Sequence, residues 1–214
     1  MKKVIRYNCE KSKDSIMRYL LVKSAPVIMG VKPAILLRLC KCQHVKRMKH
    51  FDSFCLHQNE IMEALNIECL VMKNNGRDIQ VLFYDKAVMA AYLRQPAIAG
   101  FLDECGYSAP KSLPVTMNEL KARFTGTDFP HEIGIFLGYP LKDVKGYMSR
   151  KAIAVKLEKA MWRVFGDPAE SLFLMDQYRM AEKAGQLVAS TGRSISESIN
   201  QLKQISSLDK YIFE

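Results

Sequence analysis

No apolar run in this sequence is long enough for a membrane-spanning helix, which needs about 18 to 20 consecutive apolar residues. We also expect no secretory leader, because Arg6, Glu10 and Lys11 interrupt the stretch where its apolar core would lie. The chain holds six cysteines but no Cys-X-X-Cys pair. We therefore expect a cytoplasmic protein that is not attached to a membrane, with its cysteines as thiols rather than as a disulfide framework.

Several sequence signatures of enzymes are missing as well. There is no Gly-X-Gly-X-X-Gly fingerprint, no phosphate-binding loop that ends in Gly-Lys-Ser/Thr, and no Gly-X-Ser-X-Gly nucleophile motif. No motif in the sequence therefore supports assignment to the dinucleotide-binding proteins, the P-loop proteins or the serine hydrolases. The sequence leaves the cofactor, the oligomeric state and the question of enzymatic activity open.

The composition is that of a folded globular protein. Of the 214 residues, 49% are apolar and 25% are charged, and no low-complexity stretch is present. A chain of this length buries most of the surface that it exposes when unfolded. We expect one α+β domain over residues 1–190, followed by a C-terminal helical extension over residues 191–214.

A β-hairpin over residues 67–84 is the clearest local prediction. Two runs rich in β-branched and aromatic residues, 67–72 and 79–84, flank a polar stretch that contains Asn75-Gly76. Asn-Gly favours the positive φ angles of a tight turn, so the two runs should pair antiparallel. The short apolar run 34–40 is interpreted as a further strand.

Helical spacing of apolar residues predicts most of the N-terminal helices. We expect a first helix over residues 12–23 that ends at residues 24–26, where the sequence is Ser-Ala-Pro, and a second helix that closes near Asn66. Asp85 is suited to cap the helix after the hairpin, and Pro96 to open the next one.

The C-terminal half is predicted to be helical. Thr116 and Glu119 fit a capping box that would start a helix, and residues 150–165 carry apolar residues at four-residue spacing. A last amphipathic helix is expected over residues 194–207. Many helices and few strands, outside any βαβ alternation, indicate a mostly helical α+β fold with a small antiparallel sheet.

The positive charge is concentrated in the first quarter of the chain. The formal net charge is +10, and residues 1–57 hold 13 Lys and Arg against three acids, whereas the remaining residues hold 19 of each. Such asymmetry is typical either of a solvated basic face or of a surface for an anionic partner. Four basic residues near Phe51 are the candidates for contact with nucleic acid: Lys41, Lys46, Arg47 and Lys49.

Thiols and imidazoles cluster between residues 40 and 57. This stretch holds residue types that bind zinc, copper or iron, namely Cys40, Cys42, His44, His50, Cys55 and His57. Structural zinc sites place two to four residues between the first two ligands, whereas here one residue separates Cys40 from Cys42. We therefore predict no metal site, with ordinary thiols and surface histidines as the interpretation.

His131 and Glu132 resemble the beginning of a zinc-protease helix motif. Position 135, where the second histidine would complete that metal site, is Ile, so a metalloprotease is excluded. Two interpretations stay open. The pair is either an acid/base couple or anchor for a ligand near a helix start, or a set of polar side chains that satisfy the helix end.

Three blocks of the sequence resemble an uncharacterised family, the domain of unknown function DUF3793 of anaerobic Firmicutes. They are residues 25–34 (Ala-Pro-Val-Ile-Met-Gly-Val-Lys-Pro-Ala), residues 130–140 (Pro-His-Glu-Ile-Gly-Ile-Phe-Leu-Gly-Tyr-Pro) and residues 161–167 (Met-Trp-Arg-Val-Phe-Gly-Asp). The resemblance implies no established activity. It implies at most an accessory role in redox or iron metabolism. Residues 154–157 lack the cysteines found there in many members, so no thiol or metal role is carried over.

The leading hypothesis is a cytosolic ligand-binding or accessory protein. Its site would lie between the loop at residues 30–33 and the segment around His131, with Lys32 supplying positive charge for a small anionic ligand and with His131, Glu132 and Tyr139 making further contacts. The second hypothesis is a small enzyme that uses His131 and Glu132 as acid and base. The third is a nucleic-acid-binding protein that uses the basic N-terminal quarter.

Overall fold

The computed structural model describes residues 2–41, 48–107, 112–124, 129–149 and 152–212, with the side chains of residues 2–11, 48–49 and 208–212 excepted. Within these ranges the helices are α1 (Lys2–Ile28), α2 (Met48–Leu65), α3 (Lys86–Leu93), α4 (Pro96–Glu104), α5 (Leu113–Phe124), α6 (Ile133–Phe136), α7 (Leu141–Met148), α8 (Ala169–Ser190) and α9 (Ile195–Ile212). The strands are β1 (Ala34–Cys40), β2 (Glu68–Asn74), β3 (Asp78–Tyr84), β4 (Ala154–Val155) and β5 (Val164–Phe165).

A three-stranded antiparallel sheet lies at the centre of the molecule in the order β1-β3-β2. The predicted hairpin is confirmed as β2 and β3, with Gly76 at a φ of +78° in the turn, and the run 34–40 is confirmed as a strand. The α+β fold class, mostly helical with a small antiparallel sheet, is likewise confirmed.

Helices cover both faces of this sheet. Val81 and Phe83 of β3 belong to a buried cluster with α1, α2, α8 and α9, whereas Leu82 belongs to a second cluster with α3 to α7. Successive side chains of a strand point to opposite faces, so burial on both sides explains why β1 and β3 are apolar almost throughout. Ile199 and Leu202 of α9 lie within the first cluster, so this helix packs into the core.

Helix α1 continues past the point where its end was predicted. The prediction that residues 24–26 end the helix is wrong, because Pro26 lies inside α1 two residues before its end. Proline removes one N–H and so one intrahelical hydrogen bond, and the burial of its neighbours offsets this cost. Ala25, Val27 and Ile28 are all in the core, and the Pro26 carbonyl accepts hydrogen bonds from the backbone N–H groups of Val31 and Lys32.

Two further predictions of local structure are wrong. Helix α5 begins at Leu113, so Thr116 is not an N-cap; it lies in the helix and its hydroxyl donates to the Ser112 carbonyl at 3.3 Å. Pro114 fits the first turn because the N–H that it lacks would have no intrahelical partner there. Residues 152–165 form the small hairpin β4-β5 rather than a helix, and Ile153 of the supposed apolar stripe is 90% exposed.

The caps of the two helices after the hairpin agree with the sequence. Asp85 accepts a hydrogen bond from the Val88 backbone N–H at 2.8 Å at the start of α3, and Pro96 is the first residue of α4. Among the described residues, no helix combines the length and the apolar character that a bilayer crossing requires.

Candidate functional site

The segment 130–140, which contains the short helix α6, is held in place by close glycine contacts. Gly138 has a φ of +71°, and a Cβ atom there would lie 2.6 Å from Pro33 Cδ and 2.7 Å from Tyr178 Oη. The Tyr178 hydroxyl donates to the Gly138 carbonyl at 2.7 Å. Only glycine combines this backbone conformation with so close an approach. The loop after α1, the α6 segment and α8 therefore meet at one point.

Asp143 of α7 holds three parts of the chain together. Its side chain is buried, and its two oxygens accept hydrogen bonds from the Ser171 hydroxyl (2.6 Å), the Phe165 backbone N–H (2.8 Å), the Trp162 indole N–H (2.7 Å) and the Lys142 ammonium (2.9 Å). Burial by itself would raise the pKa of Asp143, but these hydrogen bonds outweigh it and lower the pKa below its ordinary value. The carboxylate is thus a fixed anion with its hydrogen-bonding capacity used.

A cavity of about 400 Å³ lies beside this carboxylate. Five ring-bearing side chains contribute to its wall: Phe129, His131, Tyr139, Tyr147 and Trp162. Two further residues of the wall are charged, Asp143 and Arg163. The remaining ones are uncharged and mostly aliphatic: Leu36, Ile133, Gly134, Leu137, Val144 and Met161. This size and lining match those of pockets for small organic ligands, which are mainly apolar and carry few polar groups. We call this cavity the aromatic pocket.

The rings of the aromatic pocket are ordered by contacts with one another. Trp162 stacks on Tyr139 with 4.5 Å between the ring centroids and 18° between the planes. His131 meets Tyr147 edge to face at 5.0 Å, and the Phe129 ring centroid lies 5.9 Å from that of His131. The indole N–H of Trp162 also donates to Asp143. The Trp162 ring is therefore held at its edge by this hydrogen bond and on its face by the Tyr139 ring. The pocket wall is therefore preorganised.

Arg163 supplies positive charge at the pocket. Its side chain is exposed, and its guanidinium carbon lies 5.7 Å from the centre of the Tyr147 ring. The negative charge of Asp143 is already compensated by Lys142, whose ammonium also donates to the Phe165 carbonyl and the Ser171 hydroxyl. Of the two charged side chains that line the pocket, that of Arg163 is therefore the one without an ion-pair partner among the described residues.

A family model described as "Protein of unknown function (DUF3793)" matches residues 20–199. The chain belongs to this family. The matched range includes every residue that lines the aromatic pocket. Searches of curated proteins and of solved structures gave no match.

The structure separates the two residues of the predicted acid/base pair. His131 is exposed and lines the aromatic pocket, whereas Glu132 is buried and points elsewhere. Glu132 Oε1 accepts hydrogen bonds from the Tyr107 hydroxyl at 3.3 Å and from Arg123 at 3.4 Å. The Arg123 guanidinium lies 4.2 Å from the Tyr107 ring centre, so these three side chains form a compact structural group. Glu132 thus does not share the pocket with His131.

Lys32 adjoins the pocket through Tyr139 rather than lining it. Its ammonium lies 4.7 Å from the Tyr178 ring centre and 5.7 Å from that of Tyr139, and the side chain is buried. Burial lowers the pKa of Lys32 to about 8, and the nearby Glu182 carboxylate offsets part of this effect. Among the predicted ligand contacts, therefore, His131 and Tyr139 line the pocket, Lys32 lies behind Tyr139, and Glu132 faces away.

The basic residues proposed for nucleic-acid contact are described only in part. Lys41 is exposed, with its ammonium 3.6 Å from Asp52 and 5.8 Å from the Phe51 ring centre. Lys46 and Arg47 lie outside the described residues, as does the side chain of Lys49. The nucleic-acid hypothesis stays a prediction.

The thiols and imidazoles of residues 40–57 are spread over separate elements. Cys40 ends β1, whereas Cys55 and His57 are in α2, where His57 contacts Glu60 at 3.1 Å. Cys42 and His44 lie outside the described residues. In the described part of the chain, no three side chains of the His, Cys, Asp and Glu types are grouped to hold a metal ion.

Sequence reasoning missed Asp143, Tyr147, Trp162 and Arg163 as pocket residues. The indole of Trp162 is only partly buried and lines the pocket. The signal available was the block at residues 161–167, which carries the family resemblance and holds the only tryptophan of the chain. Nothing local indicated that this block would lie against α7.

Proposed function

We propose that this protein binds a small planar molecule that carries an anionic group, with the planar part in the aromatic pocket and the anion at Arg163. The observation that carries the proposal is the ring-lined cavity of about 400 Å³ with a guanidinium as its uncompensated charge. Aromatic faces favour planar ligands by offset stacking and edge contacts. A guanidinium favours carboxylate or phosphate because its planar fork matches both groups.

His131 contributes a polar edge to the same wall. A ring nitrogen at this position can donate to or accept from a ligand. An acid/base reaction by the His131–Glu132 pair is not favoured, because Glu132 is engaged with Tyr107 and Arg123. Binding is therefore the activity that we propose, with no chemical step assigned to the pocket.

The chain offers a built-in reporter for this binding. Trp162 is its single tryptophan and lies in the pocket wall, so the intrinsic tryptophan emission reports on the pocket alone. The test uses 4-nitrobenzoate as a planar anion, 4-nitrobenzamide as its neutral analogue and cyclohexanecarboxylate as a non-planar anion. Calorimetric titration gives each dissociation constant, and quenching of Trp162 by the two nitro compounds places them in the pocket.

The proposal expects 4-nitrobenzoate to bind most tightly of the three. Arg163→Gln should weaken it by about 10- to 100-fold, since a hydrogen bond to a charged group contributes about 1.5–3 kcal/mol, and should leave the neutral amide unchanged. Arg77→Gln is the matched control, because Arg77 is exposed at the turn of the β2-β3 hairpin, away from the pocket lining. Equal affinities for all three probes, or equal effects of the two arginine variants, would contradict the proposal.

The cellular setting is also a proposal. Four of the six cysteines, Cys40, Cys55, Cys69 and Cys105, are free thiols, which supports a reducing compartment such as the cytoplasm. An accessory role in redox or iron metabolism rests on the family resemblance. Native mass spectrometry of protein purified without oxygen tests both the ligand class and this role. A planar anion that co-purifies with the wild type and not with Arg163→Gln is the expected result.

A further inference from the structure

Helix α8 exposes a stripe of large apolar side chains on the side away from the core. Leu172, Phe173, Met180 and Leu187 are 39%, 60%, 57% and 67% exposed, and together they are a third of the twelve large exposed hydrophobic residues in the described part of the chain. The opposite side of α8 is buried through residues such as Ala181 and Val188. Concentration of apolar side chains on one exposed helix face is typical of an interaction surface.

The stripe also contains one acid and one base. At 100° per residue, positions 172, 173, 176, 180, 183 and 187 fall within an arc of about 100° on the helix surface. Asp176 and Lys183 are thus on the same face as the leucines, and both are exposed. Lys183 forms no ion pair with any described residue.

The order of these residues is self-complementary. Leu172 and Leu187 lie equally far from the midpoint of the stripe, next to Met180, and so do Asp176 and Lys183. If a second α8 is laid antiparallel on the first about this midpoint, each leucine meets the other leucine of the second copy. Each Asp176 then meets a Lys183. An isologous two-fold contact requires this kind of symmetry, in which one surface complements itself.

We propose that the exposed face of α8 pairs antiparallel with the same face of a second copy of this chain. The two-fold axis passes between positions 179 and 180, and Asp176 is shared between Arg179 of its own chain, at 2.9 Å, and Lys183 of the second copy. Helix α8 carries three acids and two bases, so the face does not share the strong positive charge of residues 1–57. This inference does not depend on the ligand proposed for the aromatic pocket.

The contact is expected to be weak. A helix of 22 residues is about 33 Å long, and one helix face of that length buries less than the roughly 800 Å² per partner of a standard interface. Small interfaces of this kind belong to transient complexes. The dimer should therefore appear only at high protein concentration. Substitutions in the stripe should shift the concentration at which half of the chains are dimeric.

Sedimentation velocity over a wide range of protein concentration at low salt is the test. The wild type should pass from monomer to dimer. Leu187→Glu, which sets a carboxylate against Leu172 of the second copy, should weaken the dimer at least tenfold. Leu56→Glu is the matched control, since Leu56 is 68% exposed on α2 and lies outside the stripe. Circular dichroism melting curves show that each variant is folded.

Exchanging the two charged residues distinguishes this pairing from nonspecific association. Asp176→Lys and Lys183→Asp should each weaken the dimer, because like charges then meet across the interface. The double variant D176K/K183D should recover most of the wild-type affinity. A wild type that is monomeric at every concentration would overturn the proposal. A Leu56→Glu effect as large as that of Leu187→Glu, or a double variant no tighter than the single ones, would overturn it as well.

Discussion

Replacing Asp143 by Ala should lower the free energy of unfolding by about 3–5 kcal/mol, the cost of removing one partner from a buried charge pair. The side chain accepts four hydrogen bonds at 2.6–2.9 Å, and hydrogen bonds to a charged group contribute about 1.5–3 kcal/mol each. Their simple sum overshoots, because Lys142 is 32% exposed and regains water. Asp143→Asn keeps the shape and one acceptor, so we expect about 2–3 kcal/mol for it.

Urea unfolding followed by circular dichroism and by tryptophan fluorescence measures both effects. The second signal is local, because Trp162 loses its hydrogen bond to Asp143 in either variant. The pKa of Asp143 is lowered by folding, so its contribution is complete above the unfolded value near 3.9 and disappears as the pH falls through the folded value. The difference in free energy of unfolding between the wild type and Asp143→Asn should therefore be constant near neutral pH and shrink below about pH 4.

The matched control for this experiment is Asp52→Asn. Asp52 is exposed and pairs with Lys41 at 3.6 Å, so its loss should change stability by less than about 0.5 kcal/mol. Asp143→Asn could instead unfold at the urea midpoint of the wild type with unchanged Trp162 emission. That result would refute the claim that the four hydrogen bonds to Asp143 organise the wall of the aromatic pocket.

Three further predictions follow from the geometry. Glu132→Gln should cost about 1–2 kcal/mol in urea unfolding, because Arg123 loses its carboxylate, while the affinity of the aromatic pocket for 4-nitrobenzoate stays at the wild-type value. The free energy of unfolding of the wild type relative to Lys32→Met should rise by about 3 kcal/mol between pH 8 and 10.5, because the unfolded chain keeps the proton that burial removes from Lys32; urea unfolding of both proteins across that range measures the difference. Gly138→Ala should destabilise by about 2–4 kcal/mol through its positive φ and its contact with Pro33, whereas Gly76→Ala, with a similar φ and open space, should cost about 1 kcal/mol in the same unfolding assay.

Elements with strong local signals were predictable from the sequence. The hairpin of β2 and β3 has two runs rich in β-branched and aromatic residues and an Asn-Gly turn between them. Asp85 caps α3 and Pro96 begins α4, as the chemistry of these residues favours. The helix expected over residues 150–165 failed because four-residue spacing shows only that apolar residues recur. It does not show that anything buries them, and the side chain of Ile153 faces solvent.

The candidate site was predictable only in part. The family blocks pointed to residues 130–140, and His131 and Tyr139 do line the pocket. His131 and Glu132 are adjacent in sequence, which favoured the hypothesis of an acid/base pair. Consecutive residues in a turn project in different directions, however, and these two side chains have different surroundings. The partners of His131 in the pocket come from α7 and from the segment after β4, a juxtaposition created by tertiary packing.

The four donors to Asp143 have a consequence for how the pocket comes into existence. They belong to α7, to the β4-β5 hairpin and to α8, and the Tyr178 bond to Gly138 links the same helix to the α6 segment. No fragment that stops before α8 contains all of these groups. A nascent chain therefore emerges with the wall of the aromatic pocket unfinished, and the binding proposed above would require that the last third of the polypeptide has docked.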